Sequence, residues 1–247
     1  MKLFKLIFSL LFIIGLLTGC GSNSGKSIRN PLDILDQELI NVPIYTIILF
    51  DMEIKGSIFK TYRHQYKVIS EVDEQVSNEI TEWFEVSKQF FRLNEKNMGM
   101  ELASKKDGGV SKSVSPAGYS NYIGNSRYGE WRSHSGGSFW SFYGRYAMFN
   151  AMFNVFSNPA RRSYYNDYRS NYSNTSRSYF GPKTASGRNY YGTYSDNTMK
   201  SRKNSSRWVK SSSFANKMYS GGNKSTRSGS RYNSSSSYRS RSGGFGK

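Results

Sequence analysis

After Ile123 the chain contains only two β-branched aliphatic residues, Val155 and Val209. From Ser163 onward it is mostly Ser, Asn, Gly, Tyr, Arg and Lys. Ordering a residue costs about 1–2 kcal/mol of backbone entropy, and a segment this poor in aliphatic area has little to set against it. The composition therefore predicts a long, basic, Ser/Tyr/Arg-rich tail over 158–247, with roughly 163–247 disordered when alone. Folding is confined to what precedes it.

Charge follows the same division. Residues 1–115 hold 14 Lys/Arg and 14 Asp/Glu and sum to zero, whereas 116–247 hold 21 basic residues against Glu130, Asp167 and Asp196. The entire net charge of +18 sits in the second half, as in a basic interaction tail. Cations there are interleaved with rings, as in Arg177-Ser178-Tyr179-Phe180, Arg188-Asn189-Tyr190-Tyr191 and Tyr238-Arg239-Ser240-Arg241. Arg and Lys gain by releasing counterions from a polyanion, and tyrosines stack on rings or pair with Arg. The candidate polyanion contacts are Arg161, Arg162, Arg169, Arg177, Arg188, Arg202, Lys203, Arg207, Arg227, Arg231, Arg239 and Arg241. Self-association through Tyr and Arg, or a solvated stalk without a partner, are the competing meanings of the same composition.

Residues 43–115 carry the pattern of a small antiparallel β/α domain, so the expected fold class is α+β. Ile48, Phe50, Met52 and Ile54 alternate with Asp51 and Glu53, the period of a half-buried strand. After a turn at Lys55-Gly56-Ser57, residues 58–69 read as a second strand with Tyr62, Tyr66 and Val68 on one face, and 80–86 as a third. Ser87 is placed to cap a short helix through Phe91 and Leu93 that ends at Gly99. A final hairpin joins 100–103 to 110–114 through Lys106-Asp107-Gly108-Gly109, because Asp-Gly suits a type I′ turn. Residues 20–42 are read as a tether and 116–138 as a loop. About seventy residues make a marginal core, so stability draws on the next segment.

That segment, 139–157, is expected to be one apolar aromatic helix. Phe139, Trp140, Phe142, Tyr143, Tyr146, Phe149, Phe153 and Phe156 leave it no continuous polar face, and such a helix is buried or in lipid. Docking on the folded domain or a partner, insertion at a membrane interface and a true span are the three readings. Arg145, Asn150 and Asn154 weigh against the span.

No catalytic constellation emerges, and the expectation is a protein that is not an enzyme and needs no metal or cofactor. His64 shares a strand face with Tyr62 and Tyr66 and reads as structural, while His134 sits in an Arg-Ser-His-Ser-Gly-Gly loop. Zinc requires at least three N, S or O ligands, and no Cys/His cluster supplies them. No Gly-x-Ser-x-Gly elbow is present. The acid pairs Asp51/Glu53 and Asp73/Glu74 read as solvent faces.

The amino-terminal end bears on location. Met1-Lys2-Leu3-Phe4-Lys5 is a positive start, and Leu6 to Leu17 is apolar except for Ser9 and Gly15. Thr18 and Gly19 then precede Cys20, the single cysteine. Residues 1–19 have the layout of a secretory signal peptide. The apolar run of 12 residues is about 18 Å long as a helix, short of a hydrocarbon core of about 30 Å. Leu17-Thr18-Gly19-Cys20 resembles the lipobox of bacterial lipoproteins, which implies cleavage before Cys20, acylation of its sulphur and stable membrane attachment. In a Gram-negative cell, Gly21 and Ser22 carry no acidic retention signal, so the resemblance favours the outer membrane. The order of leader, small domain, Gly136-Gly137-Ser138-Phe139-Trp140 and a tail ending Gly243-Gly244-Phe245-Gly246 is similar to the YgiB-like group of bacterial lipoproteins. That resemblance implies an envelope protein and carries over no catalytic residue.

These features predict a lipid-anchored envelope protein whose basic aromatic tail binds lipopolysaccharide, anionic lipid or peptidoglycan, with nucleic acid demoted by export. The alternative is an accessory subunit of a membrane transport or channel complex that docks through 139–156.

Overall fold

The structure is a computed structural model describing residues 28–154, 159–203 and 205–208. The leader 1–19, Cys20, Phe156, Arg227, Arg231, Arg239 and Arg241 lie outside the described residues.

The fold is α+β and is organised by one long hairpin. Strand β1 (Ile44–Lys55) pairs antiparallel with β2 (Thr61–Val72) over nearly their whole lengths. Around it the sheet runs β3 (Gln75–Ile80), β2, β1, β5 (Met100–Lys106) and β6 (Gly109–Ser111). The short strands β4 (Phe84–Val86) and β7 (Ser115–Pro116) pair with β2 and β5 respectively. The segment expected as one strand at 80–86 is thus divided: Thr81 leaves the ladder, and its Oγ1 accepts the Tyr66 N–H at 3.0 Å. The β2–β3 turn is formed by Asp73 and Glu74, both at positive φ (49° and 64°). The Asp107-Gly108 turn between β5 and β6 has φ of 51° and 78°, the left-handed pair that a type I′ turn requires.

Helix α1 (Pro31–Glu38) begins where a tether was expected. Asn30 caps it by accepting the Leu32 N–H at 3.0 Å, Pro31 opens the first turn, and Leu32 and Leu35 are buried. Helix α2 (Lys88–Asn94) is capped by Ser87, which accepts the Phe90 N–H. It ends at Asn94; Gly99, at φ 81°, instead turns the chain into β5. Both helices cover one face of the sheet. There Leu32, Leu35 and Phe91 pack on Tyr45, Ile47, Leu49, Met52, Tyr66, Val68 and Leu102. A bulge between Leu49 and Asp51 breaks the expected alternation of β1. Met52 consequently joins Leu49 in this core, while Ile48 faces the other one.

The opposite face is covered by the chain after β7, and here the expectations for 116–138, for 139–157 and for the 159–208 part of the tail are corrected; residues 209–247 lie outside the described residues. Residues 116–138 are not an open loop. Tyr119, Tyr122, Ile123 and Tyr128 are buried, and β8 (Gly129–His134) follows them, placing His134 at the exposed end of a strand. Nor is 139–157 one helix. β9 (Gly137–Phe142) pairs with β8, a single 3₁₀ turn follows at Gly144–Tyr146, and α3 (Phe149–Met152) has four residues. The period-two placement of buried Trp140 and Phe142 around half-buried Ser141 made it a strand. Trp140, Phe142, Tyr146, Phe149 and Phe153 lie in the core. Tyr143 is exposed, and Phe139 is half-buried with the Arg161 guanidinium over its ring at 5.1 Å.

The supposed tail is ordered through most of 159–208. Helix α4 (Arg162–Asn171) turns Tyr165, Tyr168 and Tyr172, at i, i+3 and i+7, toward the rings beneath it. The chain then crosses the domain. Tyr179 N donates to the Val114 carbonyl at 3.1 Å, and Thr193 Oγ1 accepts the Met98 N–H at 2.9 Å. After α5 (Asp196–Ser201), the buried Asp51 accepts from Ser206 Oγ at 2.6 Å and from Arg207 N at 2.8 Å. Asp51 is therefore not a solvent-facing acid. For 159–208 the expectation of disorder is overturned because rings were not counted as core: a buried Tyr removes 150–250 Å² from water, enough to replace the missing aliphatics. No helix among the described residues is long and apolar enough to cross a membrane.

Candidate polyanion interface

Eight of the cations singled out in the sequence lie among the described residues, and the fold uses five of them internally. Arg161 sits over the rings of Phe139 and Tyr164. Arg177 donates to the Asn171 carbonyl and stacks on Tyr172. Arg188 pairs with Asp196 at 2.7 Å. Arg202 donates to the Phe50 carbonyl and lies 4.5 Å from the centre of its ring. Arg207 pairs with Glu53 beside Trp83, so the second acid read as solvent-facing is also engaged. Arg202 and Arg207 thus tie the basic half to the sheet, whereas Arg161, Arg177 and Arg188 hold the basic half to itself. Burial lowers the Arg202 pKa.

Arg162, Arg169 and Lys203 remain exposed and make no ion pair among the described residues. Arg162 and Arg169 are seven residues apart on α4, two turns along the same outward ridge. Arg169 also borders an open cleft of about 330 Å³ lined with Lys106, Ser111, Ser113, Ser120 and Asn121. Lys106 comes from the β5–β6 turn and was not singled out in the sequence, because nothing in its local pattern shows that α4 folds over beside it.

The wall of this cleft leads to Glu101, which is fully buried. Ser115 and Ser120 hydroxyls donate to its Oε1, and the Gly118 N–H donates to Oε2 at 3.0 Å. Burial raises the carboxyl to about 7, even though those donors pull it down. Ser120 reaches toward the Tyr168 hydroxyl at 3.4 Å and lines the cleft, so the acid touches the surface through one hydroxyl. Nearby, Asn121 Nδ2 donates to the Tyr45 and Lys105 carbonyls, pinning the cleft floor to the sheet.

His64 lies on the other side of the sheet, between Tyr66, Phe90 and Phe91. Its Nδ1 is 3.1 Å from the Tyr66 hydroxyl, and its Nε2 has no partner among the described residues. Burial lowers its pKa to about 3, so the ring is neutral near pH 7. Its place within an aromatic cluster is that of a core residue. No group of three His, Cys, Asp or Glu side chains able to hold a metal occurs among the described residues.

Chemically, the arrangement offers exposed guanidinium and ammonium groups beside a cleft rich in hydroxyls and amides, which suits contacts to phosphate, carboxylate or sugar oxygens. Among the described residues, 139–154 do not form the docking helix expected at 139–156, and Trp140, Phe142, Tyr146, Phe149 and Phe153 are inside the molecule. Compared with known protein families, with curated proteins and with solved structures, the chain matches none.

Proposed function

We propose that this is a lipid-anchored envelope protein, held at the membrane through Cys20, that binds envelope polyanions through the basic residues its fold leaves free. One observation carries the reading. Every Asp and Glu lies between residues 33 and 196, whereas 209–247 hold eight Lys/Arg and no acid. The folded half spends much of its basic charge on its own acids and rings, as Arg188, Arg202 and Arg207 do. The carboxy-terminal residues have no such acids in their own sequence. Arg162, Arg169 and Lys203 extend the same charge onto the module. The lipobox resemblance supports an exported location, where the available polyanions are lipopolysaccharide, anionic lipid and peptidoglycan.

The test is retention of the Cys20→Ser protein, with and without 209–247, on lipopolysaccharide, anionic liposomes and peptidoglycan across a salt series. Counterion release predicts retention that falls steeply with salt and mostly disappears with the deletion. Equal retention at low and high salt would contradict it. In cells, Cys20→Ser is expected to abolish lipid labelling and release the protein from the membrane.

A further inference from the structure

Among the described residues, the β1–β2 turn carries the two most exposed large apolar side chains. Ile58 and Phe59 are 85% and 89% exposed at its tip, with Ile54 41% exposed at the end of β1. Isolated exposed apolar residues are common, but adjacent large ones at a hairpin tip are a costly surface without an occupant. The tip is shaped to present them. Gly56 has a φ of +88°, and a Cβ there would collide with the Phe59 carbonyl oxygen, so only glycine fits the reversal.

The surroundings say what the occupant is. Residues 54–70 include Lys55, Lys60, Arg63 and Lys67 and no Asp or Glu. Helix α2 starts beside the same end of the sheet, because Val86, just before its cap, pairs with Tyr62. It adds Leu93, 69% exposed, next to Lys88 and Arg92. Lys55, Lys60, Lys88 and Arg92 are all exposed, and none makes an ion pair among the described residues. Exposed Glu85 of β4 lies opposite Arg63 on this end as well. Apolar side chains at a tip flanked by unpaired Lys55 and Lys60, with Lys88 and Arg92 on the helix that starts at the same end, match the layered chemistry of an anionic bilayer: acyl carbon below, phosphate above.

We propose that the β1–β2 tip inserts Ile58 and Phe59 into the interface of an anionic membrane while Lys55, Lys60, Lys88 and Arg92 meet its headgroup phosphates. The proposal rests on the membrane location argued above and adds which end of the module meets the bilayer. The turn contacts lipid whether or not the carboxy-terminal residues bind polyanions.

The experiment places a fluorophore at the tip of the full mature chain. Cys20→Ser removes the single thiol, and Ser57→Cys or, as control, Ser135→Cys at the exposed β8–β9 turn receives an environment-sensitive label. Vesicles of phosphatidylcholine and phosphatidylglycerol carry quenchers on their acyl chains. The expected result is a blue shift and quenching at position 57, none at 135, and neither on pure phosphatidylcholine. Ile58→Ser with Phe59→Ser, both exposed and so compatible with folding, is expected to weaken partitioning at least tenfold. A Lys55→Glu, Lys60→Glu pair is expected to weaken it on anionic vesicles. Failure of polyanion binding by 209–247 would lower total retention and leave position 57 quenched. Absence of quenching at 57 while the protein stays vesicle-bound would overturn the tip proposal alone. Tip-dependent self-association without vesicle binding would reassign the surface to a second copy and also overturn it.

Discussion

The two faces of the sheet are packed with different chemistry. On the face covered by α1 and α2, three of the thirteen core residues are aromatic, and the remainder are Leu, Ile, Val, Met and Ala. On the face covered by residues after Ser115, eleven of sixteen are Tyr, Trp or Phe. An aliphatic core needs only shape. A tyrosine core must also place hydroxyls, and this one pairs some of them, Tyr119 with Tyr191 at 2.7 Å and Tyr128 with Glu71 at 2.8 Å, while the buried Tyr122 hydroxyl has no partner among the described residues. The second kind of core can be written in a sequence that looks too polar to fold. Its edge-to-face contacts, such as Tyr122–Tyr128 and Tyr128–Phe149, add to the burial of area.

The largest test of this contrast is truncation at matched depth. Phe149 is fully buried with its ring centre 4.5 Å from Tyr122 and 5.2 Å from both Phe142 and Phe153. Phe149→Ala is expected to cost about 3–5 kcal/mol, comparable to about 2–5 kcal/mol for Leu49→Ala across the sheet. Urea unfolding checks both. A loose aromatic coat on an autonomous sheet would give a near-zero value for Phe149→Ala alone.

Next is the pH dependence of two buried titratable groups, Glu101 and His64, which lie on opposite faces and act in opposite directions. Glu101 has its carboxyl raised from 4.5 to about 7 by burial. The native state then binds this proton more tightly than the unfolded chain does. Stability falls as pH rises from about 4.5 to about 7, by about 3 kcal/mol in total. His64 is lowered from 6.5 to about 3 by burial. The unfolded chain takes up that proton first, so the His64 contribution is lost as pH falls below 6.5. The two nearly offset between pH 4.5 and 6.5. Glu101→Gln keeps hydrogen-bonding capacity toward Gly118 and the serines. Its stability is expected to rise with pH up to about 6.5 and then level off, as read by denaturant midpoints at each pH. An unchanged profile would remove Glu101 from the account.

The smallest effects separate paired from unpaired hydroxyls. Tyr128→Phe strands the buried Glu71 carboxylate of one donor and is expected to cost about 1.5–3 kcal/mol. Tyr122→Phe removes a buried hydroxyl that has no partner among the described residues and is expected to be neutral or slightly stabilising. Thermal melts of the pair suffice. Equal losses would mean the ring face is held by shape alone.

Legibility in the sequence followed the same division. Strands β1 and β2, the Ser87 cap and the Asp107-Gly108 turn were readable because alternation, capping and turn chemistry are local signals. Helix α1 was readable too, from Asn30-Pro31 and the Leu32/Leu35 spacing, but was mistaken for part of a tether. Asp73-Glu74 was not read as a turn because Asp tolerates the left-handed region but Glu rarely occupies it, so no glycine or asparagine marked the second position. The bulge near Phe50 left no mark in the pattern. In the second half, helical spacing of Tyr165, Tyr168 and Tyr172 was present, but poverty in aliphatics outweighed it. The candidate interface was legible as charge but not as geometry. Sequence spacing could not say that Arg207 would meet Glu53, or that Arg169 would stand beside Lys106.

The central claim is that residues 116–203, despite their composition, fold onto the sheet as a second core. Amide hydrogen exchange tests it most directly. The amides of Met98, Trp140, Tyr179 and Tyr191 donate to Thr193, Ala160, Val114 and Phe180 respectively, so all four bonds depend on the aromatic half being in place. Slow exchange at these positions, of the same order as in β1 and β2, is the expected result. Fast, peptide-like exchange at all four, with β1 and β2 still protected, would contradict it.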